Sequence, residues 1–254
     1  MDDPTDPVTH TSLAPANLTT DRTGVVSFKQ ELPCFSTGIN NPKFREWLEN
    51  RRISPRTILS FQLTPDEIST GILYPVPNSN HLRWKNFDSQ AKPKYQWRWE
   101  KPAAAKYYHA PDLSDSIQTN AGACWLVSGE ADVWALHSAG IEHVLSAGYS
   151  ESSVPLDLVT DLQYFGVTTL YLAPDRDDTG ERWARKVAAR LMGSGIELDV
   201  RRLPDALGVK ADVGRAWQQY IREGWPFERW LLGLPRIDVE PDPATTPQVT
   251  RQGD

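Results

Sequence analysis

The pattern of apolar and polar positions changes along the chain, and the change falls near residues 112–122. Before this point the pattern is mixed, with apolar residues at helical spacing over 41–51 and a short apolar run over 72–76. After it, short apolar runs alternate regularly with segments of helical length. We predict strands over 124–128, 143–146, 168–173 and 196–203, and helices over 131–139, 156–165, 179–191 and 211–223. Strands and helices that alternate in this way form a parallel sheet with helices on both faces.

Both ends of the chain lack this pattern. Residues 1–29 combine Asp, Pro and Thr with little apolar content, and residues 234–254 combine prolines with mostly acidic charge. Segments of this composition bury too little apolar surface to fold, so we predict that both are disordered. The predicted fold class is α/β. A small mixed α+β N-terminal subdomain over residues 30–115 precedes a Rossmann-like domain over 120–233, with a parallel sheet and helices on both faces.

Composition and charge exclude several classes of protein. The chain has 254 residues, a net charge of −6 and no run near the roughly 18 apolar residues that a membrane helix needs, so we expect no membrane partner. Its acidic start lacks the apolar segment of a secretory signal. The two cysteines, Cys34 and Cys124, are too few for a disulfide framework or a four-cysteine zinc site. We therefore expect no zinc and a reduced, cytoplasmic protein.

Acidic residues follow successive strands of the predicted parallel sheet. Glu130 follows the first of these strands, and Asp175 and Asp177 follow the third. Because functional groups of such sheets gather beyond the carboxyl ends of the strands, we expect the three carboxylates to lie close together. A hard divalent cation relieves their repulsion, and Mg²⁺ (or Mn²⁺) prefers oxygen ligands. Such a site holds a triphosphate or orients a phosphodiester for in-line displacement.

Each of these acids taken alone has a simpler explanation. Asp and Glu are common in loops and before helices, where their side chains cap the helix N-terminus. An isolated acidic cluster after one strand is more typical of a turn than of a metal site. Because acids recur at the ends of successive strands, the metal-site interpretation and this simpler one are about equally favoured.

Residues 81–110 form a basic and aromatic segment in an otherwise acidic chain. They hold seven Lys and Arg residues against two acidic ones, a net charge of +5 in a chain whose total is −6. Seven aromatic residues are interleaved with them. Basic groups attract phosphates and flat rings stack on unpaired bases, so the segment favours single-stranded nucleic acid. A two-faced strand with buried rings and solvated lysines explains about half of the aromatic residues, but not the concentration of positive charge.

Seven short segments carry the motifs of a known family, in the family's order. They are residues 45–63 (REWLENRRISPRTILSFQL), 71–76 (GILYPV), 92–95 (KPKY) with the following Lys101 and Tyr107, 127–136 (VSGEADVWAL), 146–150 (SAGYS), 175–180 (DRDDTG) and 207–212 (LGVKAD). Over about residues 40–220, the chain resembles the TOPRIM-containing catalytic core, or RNA polymerase core, of bacterial and phage-type DNA primases. The resemblance implies that the domain over 120–233 is a TOPRIM domain and that the subdomain over 30–115 binds nucleic acid.

The resemblance also implies the roles of the acidic residues. Glu130, Asp175 and Asp177 would be catalytic and would hold the divalent metal ion. Asp212 would complete the acidic site as a further ligand, or it would act through the metal-binding side chains without contacting the metal ion. Gly214 stands where the family often has a second acid, two residues after Asp212. We therefore expect a magnesium or manganese site built on the first three residues.

The nucleic-acid contacts implied by the resemblance fall in the basic segment. Lys94, Tyr95 and Lys101 match the family's Pro-Lys-Tyr motif and its following lysine. They would contact the template, the nucleotide or the growing primer. Arg83 is a further candidate for these contacts, because of its position in the basic segment alone.

The leading interpretation is a DNA primase core that joins NTPs into a short RNA primer on single-stranded DNA. The cysteines and histidines do not support the family's zinc module, and no helicase domain follows. We therefore expect a phage, plasmid or other mobile replicon, with a separate replicative helicase or single-strand-binding protein as partner. Two alternatives stay open: a TOPRIM-type metal-dependent nuclease and a non-catalytic nucleic-acid-binding TOPRIM module. Such nucleases usually carry an ATPase, whose GxxxxGK[ST] loop is missing, and a non-catalytic module has no reason to keep closely spaced acids.

Overall fold

Two sheets, one from each half of the chain, organise the computed structural model, which describes residues 41–77, 81–88, 90–97, 106–147, 154–220 and 226–242. The first half forms α1 (Pro42–Arg51), α2 (Pro55–Ser60), β1 (Thr64–Pro65), β2 (Gly71–Pro75), β3 (Leu82–Asn86) and β4 (Tyr95–Trp97). Among the described residues, these strands pair antiparallel in the order β1-β2-β3-β4. Asn41 and Ser54 cap the two helices, and each cap is followed by a proline that suits a first helical turn.

The second half builds the larger sheet and most of the helices. Its elements are β5 (Tyr107–His109), α3 (Leu113–Thr119), β6 (Ala123–Val127), α4 (Glu130–Ser138), β7 (Val144–Ala147), α5 (Leu158–Tyr164), β8 (Thr169–Leu172), α6 (Asp178–Leu191), β9 (Glu197–Val200), a 3₁₀ turn (Asp205–Leu207), α7 (Val213–Tyr220) and α8 (Phe227–Leu232). In the part of the chain that the structure describes, the sheet order is β5-β7-β6-β8-β9, and no helix is long and apolar enough to cross a membrane. The α/β fold class is confirmed, and so is the alternation of strands and helices.

Strand β6 lies in the middle of this sheet and shows why both faces are covered. Cys124 and Leu126 pack into a core with residues of α3, α5 and α6. Trp125 and Val127 point to the opposite face and pack with α4, α7 and α8. Because side chains of a strand alternate between faces, an unbroken apolar run buries both of them.

The N-terminal subdomain shares the second of these cores. Trp134 of α4 is fully buried and lies edge-on to Trp47 of α1, with ring centroids 6.1 Å apart. It also lies edge-on to Tyr74 of β2 at 5.0 Å, and its indole N–H donates to the hydroxyl of Tyr108 at 2.7 Å. Helix α4 therefore joins the two sheets into one hydrophobic core.

One edge of the larger sheet differs from the prediction of a purely parallel sheet. Strand β5 runs antiparallel to β7, with Tyr108 opposite Ser146. Its residues fall within 30–115, the range predicted for the N-terminal subdomain, but they pair with the second sheet. A strand of three residues carries too short a pattern for its partner to be read from the sequence.

The C-terminal segment differs from the predicted disorder over its first nine residues. Leu234 is buried, Arg236 forms a bridge with Arg201, and the Ile237 N–H donates to the Val200 carbonyl at 2.9 Å. Residues 235–237 thus run along the outer edge of β9, and further on the Asp242 N–H donates to the Arg185 carbonyl of α6 at 3.2 Å. The prediction of disorder rested on the overall proline and acid content of the tail. It overlooked three apolar residues whose spacing allows them to pack. Residues 1–40 and 243–254 lie outside the described residues, so disorder there stays a prediction.

Candidate functional site

Acidic side chains gather beyond the carboxyl ends of β6 and β8. These strands are parallel neighbours, so the loops that follow them leave the same edge of the sheet. Ser128, after β6, has its hydroxyl oxygen 3.0 Å from Asp132 Oδ2 and 3.4 Å from Asp175 Oδ1. The hydroxyl therefore links the first acidic loop to the second.

Asp132 is the most perturbed carboxyl group of this cluster. Burial and the charge of Asp212 raise the pKa of Asp132 to about 7, although Ser128 and the Gly214 N–H donate to its carboxylate. A Cβ on Gly214 would lie 3.2 Å from Asp132 Oδ1 and 3.4 Å from Asp212 Oδ1. The glycine thus lets two carboxylates approach each other. Asp132 was not among the residues predicted for the site, although it follows Glu130 by two residues in the acidic motif.

The loop with Asp175 and Asp177 is held rigidly between β8 and α6. Asp177 caps α6 by accepting the N–H groups of Thr179 at 3.0 Å and Gly180 at 2.9 Å. A Cβ on Gly180 would lie 2.2 Å from the carbonyl oxygen of Asp175, so only glycine fits there. The two acids of the DRDDTG motif therefore differ, because Asp177 stabilises the start of a helix while Asp175 lies beside Ser128.

Arg176 ties this loop to the segment before α7. Its guanidinium pairs with Asp205 and donates to the Pro204 carbonyl at 3.1 Å. Its backbone N–H donates to the Ala211 carbonyl at 3.1 Å and its carbonyl accepts from Lys210 at 3.2 Å. These bonds fix the position of the segment that carries Asp212.

Glu130 turns toward the N-terminal sheet. It is 1% exposed, it pairs with Arg83 of β3, and its Oε1 accepts a hydrogen bond of 3.1 Å from the Tyr74 hydroxyl. Arg83 is itself only 5% exposed. The guanidinium predicted to contact nucleotide or template is therefore buried against a carboxylate in this arrangement.

Lys85 and Tyr95 bring the basic segment to the acidic loops. Lys85 Nζ donates to the Tyr95 hydroxyl at 2.6 Å and lies 4.0 Å from the centre of the ring. That hydroxyl lies 3.8 Å from where a Cβ of Gly129 would be, at the start of the first acidic loop. Burial and the charges of Arg51 and Lys94 lower the pKa of Lys85 to about 7, against the opposing effect of Glu130 and Asp132.

The predicted residues are thus only partly brought together. Asp175 lies in the second acidic loop beside Ser128, and Tyr95 borders the first. Lys94 is exposed just before β4, and Lys101 lies outside the described residues. Sequence reasoning missed Lys85 as a member of the site. The period-2 pattern of β3 was the available signal, because it places Lys85 on the same face as Arg83.

The chemistry of these donors fits a hard cation, but their arrangement is not that of a closed metal site. Asp132, Asp175 and Asp212 offer only oxygen atoms, which Mg²⁺ prefers. Across the described ranges, however, no group of three or more His, Cys, Asp or Glu side chains is placed to hold a metal ion. The positive charge that balances the Glu130 carboxylate is that of the Arg83 guanidinium. Metal binding by Glu130, Asp175, Asp177 and Asp212 stays a prediction.

Comparison with known proteins identifies the fold. No protein-family model and no curated protein sequence matches the chain. The zinc-binding and RNA polymerase domains of the Aquifex aeolicus primase align with a TM-score of 0.62 at 17% identity, over 78% of this chain and 57% of that one. The E. coli primase catalytic core aligns with a TM-score of 0.58 at 18% identity, over 78% and 76%. A DnaG primase catalytic domain bound to single-stranded DNA gives 0.56 at 18%, over 78% and 74%.

These similarities concern the fold. The identities are far below those that carry function from one protein to another, and the chain spans little more than half of the Aquifex aeolicus structure. The mixed α/β architecture, with a sheet that is parallel except at one edge and helices around it, matches the fold of a primase catalytic core.

Proposed function

We propose that the chain is the catalytic core of a DNA primase, which makes short RNA primers on single-stranded DNA by metal-dependent nucleotidyl transfer. One observation carries this proposal: in a fold shared with solved primase cores, the Lys85–Tyr95 pair of one sheet borders the acidic loops of the other. Template and nucleotide are both polyanions, and this junction combines basic, aromatic and acidic groups. A phage, plasmid or other mobile replicon is the proposed setting.

Each part of the site has a proposed task. Glu130, Asp175 and Asp177 would hold Mg²⁺ or Mn²⁺, with Asp212 in support, and the ion would neutralise negative charge on the triphosphate. The assignment is supported by the contacts of the Asp175 loop, whose backbone is held by the close packing of Gly180 and by the hydrogen bonds of Arg176.

The basic segment has the complementary task of holding nucleic acid. Lys94 is exposed and so is accessible to a phosphate, and Tyr95 presents its hydroxyl at the acidic loop. Lys101 is proposed to make a further contact on the same strand. A separate helicase or single-strand-binding protein is proposed to raise the local concentration of template.

A non-catalytic nucleic-acid-binding module is the second candidate. The observation that favours it is the pairing of Glu130 with Arg83, which satisfies the carboxylate without a metal ion. A metal-dependent nuclease would need the same carboxylates as a primase, so this pairing does not separate those two functions. The three functions are separable in one assay.

The test is template-directed incorporation of labelled NTPs on single-stranded DNA, with and without Mg²⁺ or Mn²⁺. Asp175→Asn should abolish metal-dependent primer synthesis because it keeps the side-chain shape and removes the charge. Asp178→Asn is the matched control, since Asp178 belongs to the same motif but is exposed in the first turn of α6, and it should retain synthesis. Degradation of the DNA would point to a nuclease. DNA binding without synthesis or cleavage would point to the non-catalytic module.

A further inference from the structure

Three cationic side chains belong to the segments that follow β8 and β9 at the carboxyl edge of the larger sheet. The segment after β9 begins with the 3₁₀ turn and ends at Asp212, and α7 follows directly. Lys210 lies in this segment, Arg215 in the first turn of α7, and Arg176 in the loop after β8. Because β8 and β9 are parallel neighbours, both segments leave the same edge of the sheet. None of the three cations has a task in the proposed function.

Two of the three cations are guanidinium groups that lie against Gly208. Arg176 Nη1 donates to the Gly208 carbonyl at 3.4 Å, and Arg215 Nη2 lies 3.8 Å from where a Cβ of Gly208 would be. The backbone N–H of Arg215 donates to Asp212 Oδ1 at 2.6 Å, which fixes the start of α7 beside the acidic cluster. The Arg215 side chain therefore folds back from α7 over the segment that Arg176 holds.

Only the charge of Arg176 is balanced by an ion pair. Its guanidinium pairs with Asp205 and also donates to the Pro204 carbonyl. Among the residues that the structure describes, no carboxylate lies within ion-pair distance of the Lys210 amine or the Arg215 guanidinium, and both residues are exposed. Like charges that the fold holds on one short segment repel each other, and a bound anion relieves that repulsion.

The surroundings of these cations favour a compact phosphate group over a strand of nucleic acid. Their exposed neighbours, Ala206 and Val209, carry no flat ring on which a base could stack. The basic and aromatic residues that suit an unpaired strand belong to the other sheet. A di- or triphosphate concentrates several negative charges in a small volume, and guanidinium groups bind phosphate oxygens through paired N–H donors.

We propose that Lys210 and Arg215 form a binding site for the polyphosphate tail of a nucleotide. This inference rests on the proposed function, because it takes the anion as the phosphates of the NTP substrate. Arg176 is a positioning residue, since Asp205 and backbone carbonyls already occupy its guanidinium. The site brings the nucleotide tail to the edge of the sheet where the acidic loops gather, next to Asp212.

The experiment is calorimetric titration of the full chain with inorganic pyrophosphate in the presence of EDTA, so that no divalent ion links pyrophosphate to the carboxylates. Lys210→Met and Arg215→Met should each weaken binding about tenfold, because each removes a cationic hydrogen-bond donor. Arg215→Lys keeps the charge and should lose less than Arg215→Met. The thermal midpoints of all three variants should match that of the wild type, because both side chains are exposed.

The matched control is the double variant Lys43→Met with Arg185→Met, which removes one lysine and one arginine from exposed positions elsewhere. It changes the net charge as much as Lys210→Met with Arg215→Met does, but it should leave pyrophosphate affinity unchanged. Both double variants should bind a single-stranded DNA oligonucleotide equally well. The inference would be overturned if the wild type did not bind pyrophosphate or if the two double variants bound it equally. A loss of DNA affinity in the site variant, with pyrophosphate affinity retained, would assign the cations to nucleic acid instead.

Primer synthesis by the same variants separates this inference from the proposed function. The KM for NTPs should rise in the site variants and stay unchanged in the control. Primer synthesis with unchanged KM and unchanged pyrophosphate affinity in the site variants would refute the phosphate site alone. Pyrophosphate binding that the site variants lose, in a protein that makes no primer, would refute the proposed function alone.

Discussion

Replacing Lys85 by methionine should stabilise the protein at neutral pH and remove part of the pH dependence of its stability. Lys85 is 4% exposed, and its burial with the charges of Arg51 and Lys94 lowers its pKa from 10.5 to about 7. The folded protein thus opposes protonation of this amine. Methionine has a similar length and no charge, so it fills the space beside Tyr95 without that cost.

The size of the effect follows from the shift in pKa. Below pH 7 the Lys85 amine is protonated in both states, and the wild type carries the full cost. Above pH 7, and up to the pKa of the unfolded chain, the unfolded state binds a proton that the folded state lacks. The wild-type free energy of unfolding therefore rises by up to about 1.4 kcal/mol per pH unit, or by about 3 kcal/mol between pH 7 and about pH 9.5. Loss of the hydrogen bond to Tyr95 subtracts about 1 kcal/mol from the variant at every pH in this range.

Urea titrations followed by tryptophan fluorescence, from about pH 7 to about pH 9.5, measure this difference. The advantage of Lys85→Met over the wild type should be largest at the lower pH and should shrink as the pH rises. Lys43→Met is the matched control, because Lys43 is exposed and its removal relieves no burial cost. A difference between Lys85→Met and the wild type that stays constant with pH would refute the reasoning.

Other parts of the fold give predictions of the same kind. Gly180→Ala should destabilise the protein by about 1 to 3 kcal/mol in urea titrations, because the new Cβ would lie 2.2 Å from the Asp175 carbonyl oxygen; an unchanged midpoint would mean that the loop has room. Arg176→Met should speed hydrogen exchange over residues 204–212, since Arg176 donates to the Pro204 carbonyl, and unaltered exchange would contradict the role of this contact. Deleting residues 234–254 should lower stability and promote association through the uncovered edge of β9, which light scattering detects; a monomeric variant of unchanged stability would show that the segment contributes nothing.

The strands and helices of the second half were predictable because each carries its own signal. An apolar run such as Ala123–Val127 is buried on both faces, and the helix over Asp178–Leu191 has a clear amphipathic pattern. Strand β5 gave no such signal, because three residues are too few to show a pattern and their pairing with β7 depends on packing in the folded protein. The packing of residues 234–242 was not predictable for a similar reason. Isolated apolar residues among prolines pack only where the fold offers an open strand edge.

The position of the candidate site in the fold was predictable from the sequence, but the contacts between its side chains were not. The parallel order of β6 and β8 was enough to bring Asp175 near the loop after β6. The partner of Glu130 depends on the register of three antiparallel strands and on how two sheets pack. No local pattern in the sequence indicates that Arg83 reaches from the N-terminal sheet to Glu130. The different tasks of Asp175 and Asp177 likewise depend on where α6 begins.

The edge-on pair of Trp47 and Trp134 gives the protein an optical reporter of its own assembly. Trp47 lies on α1 and Trp134 on α4, and their ring centroids are 6.1 Å apart at an interplanar angle of 75°. Indole transitions at this separation couple, so the pair contributes a near-ultraviolet circular dichroism signal that vanishes when α1 leaves α4. The difference between the spectra of the wild type and Trp47→Phe therefore reports the packing of α1 against α4, even in solutions where the helices themselves remain intact.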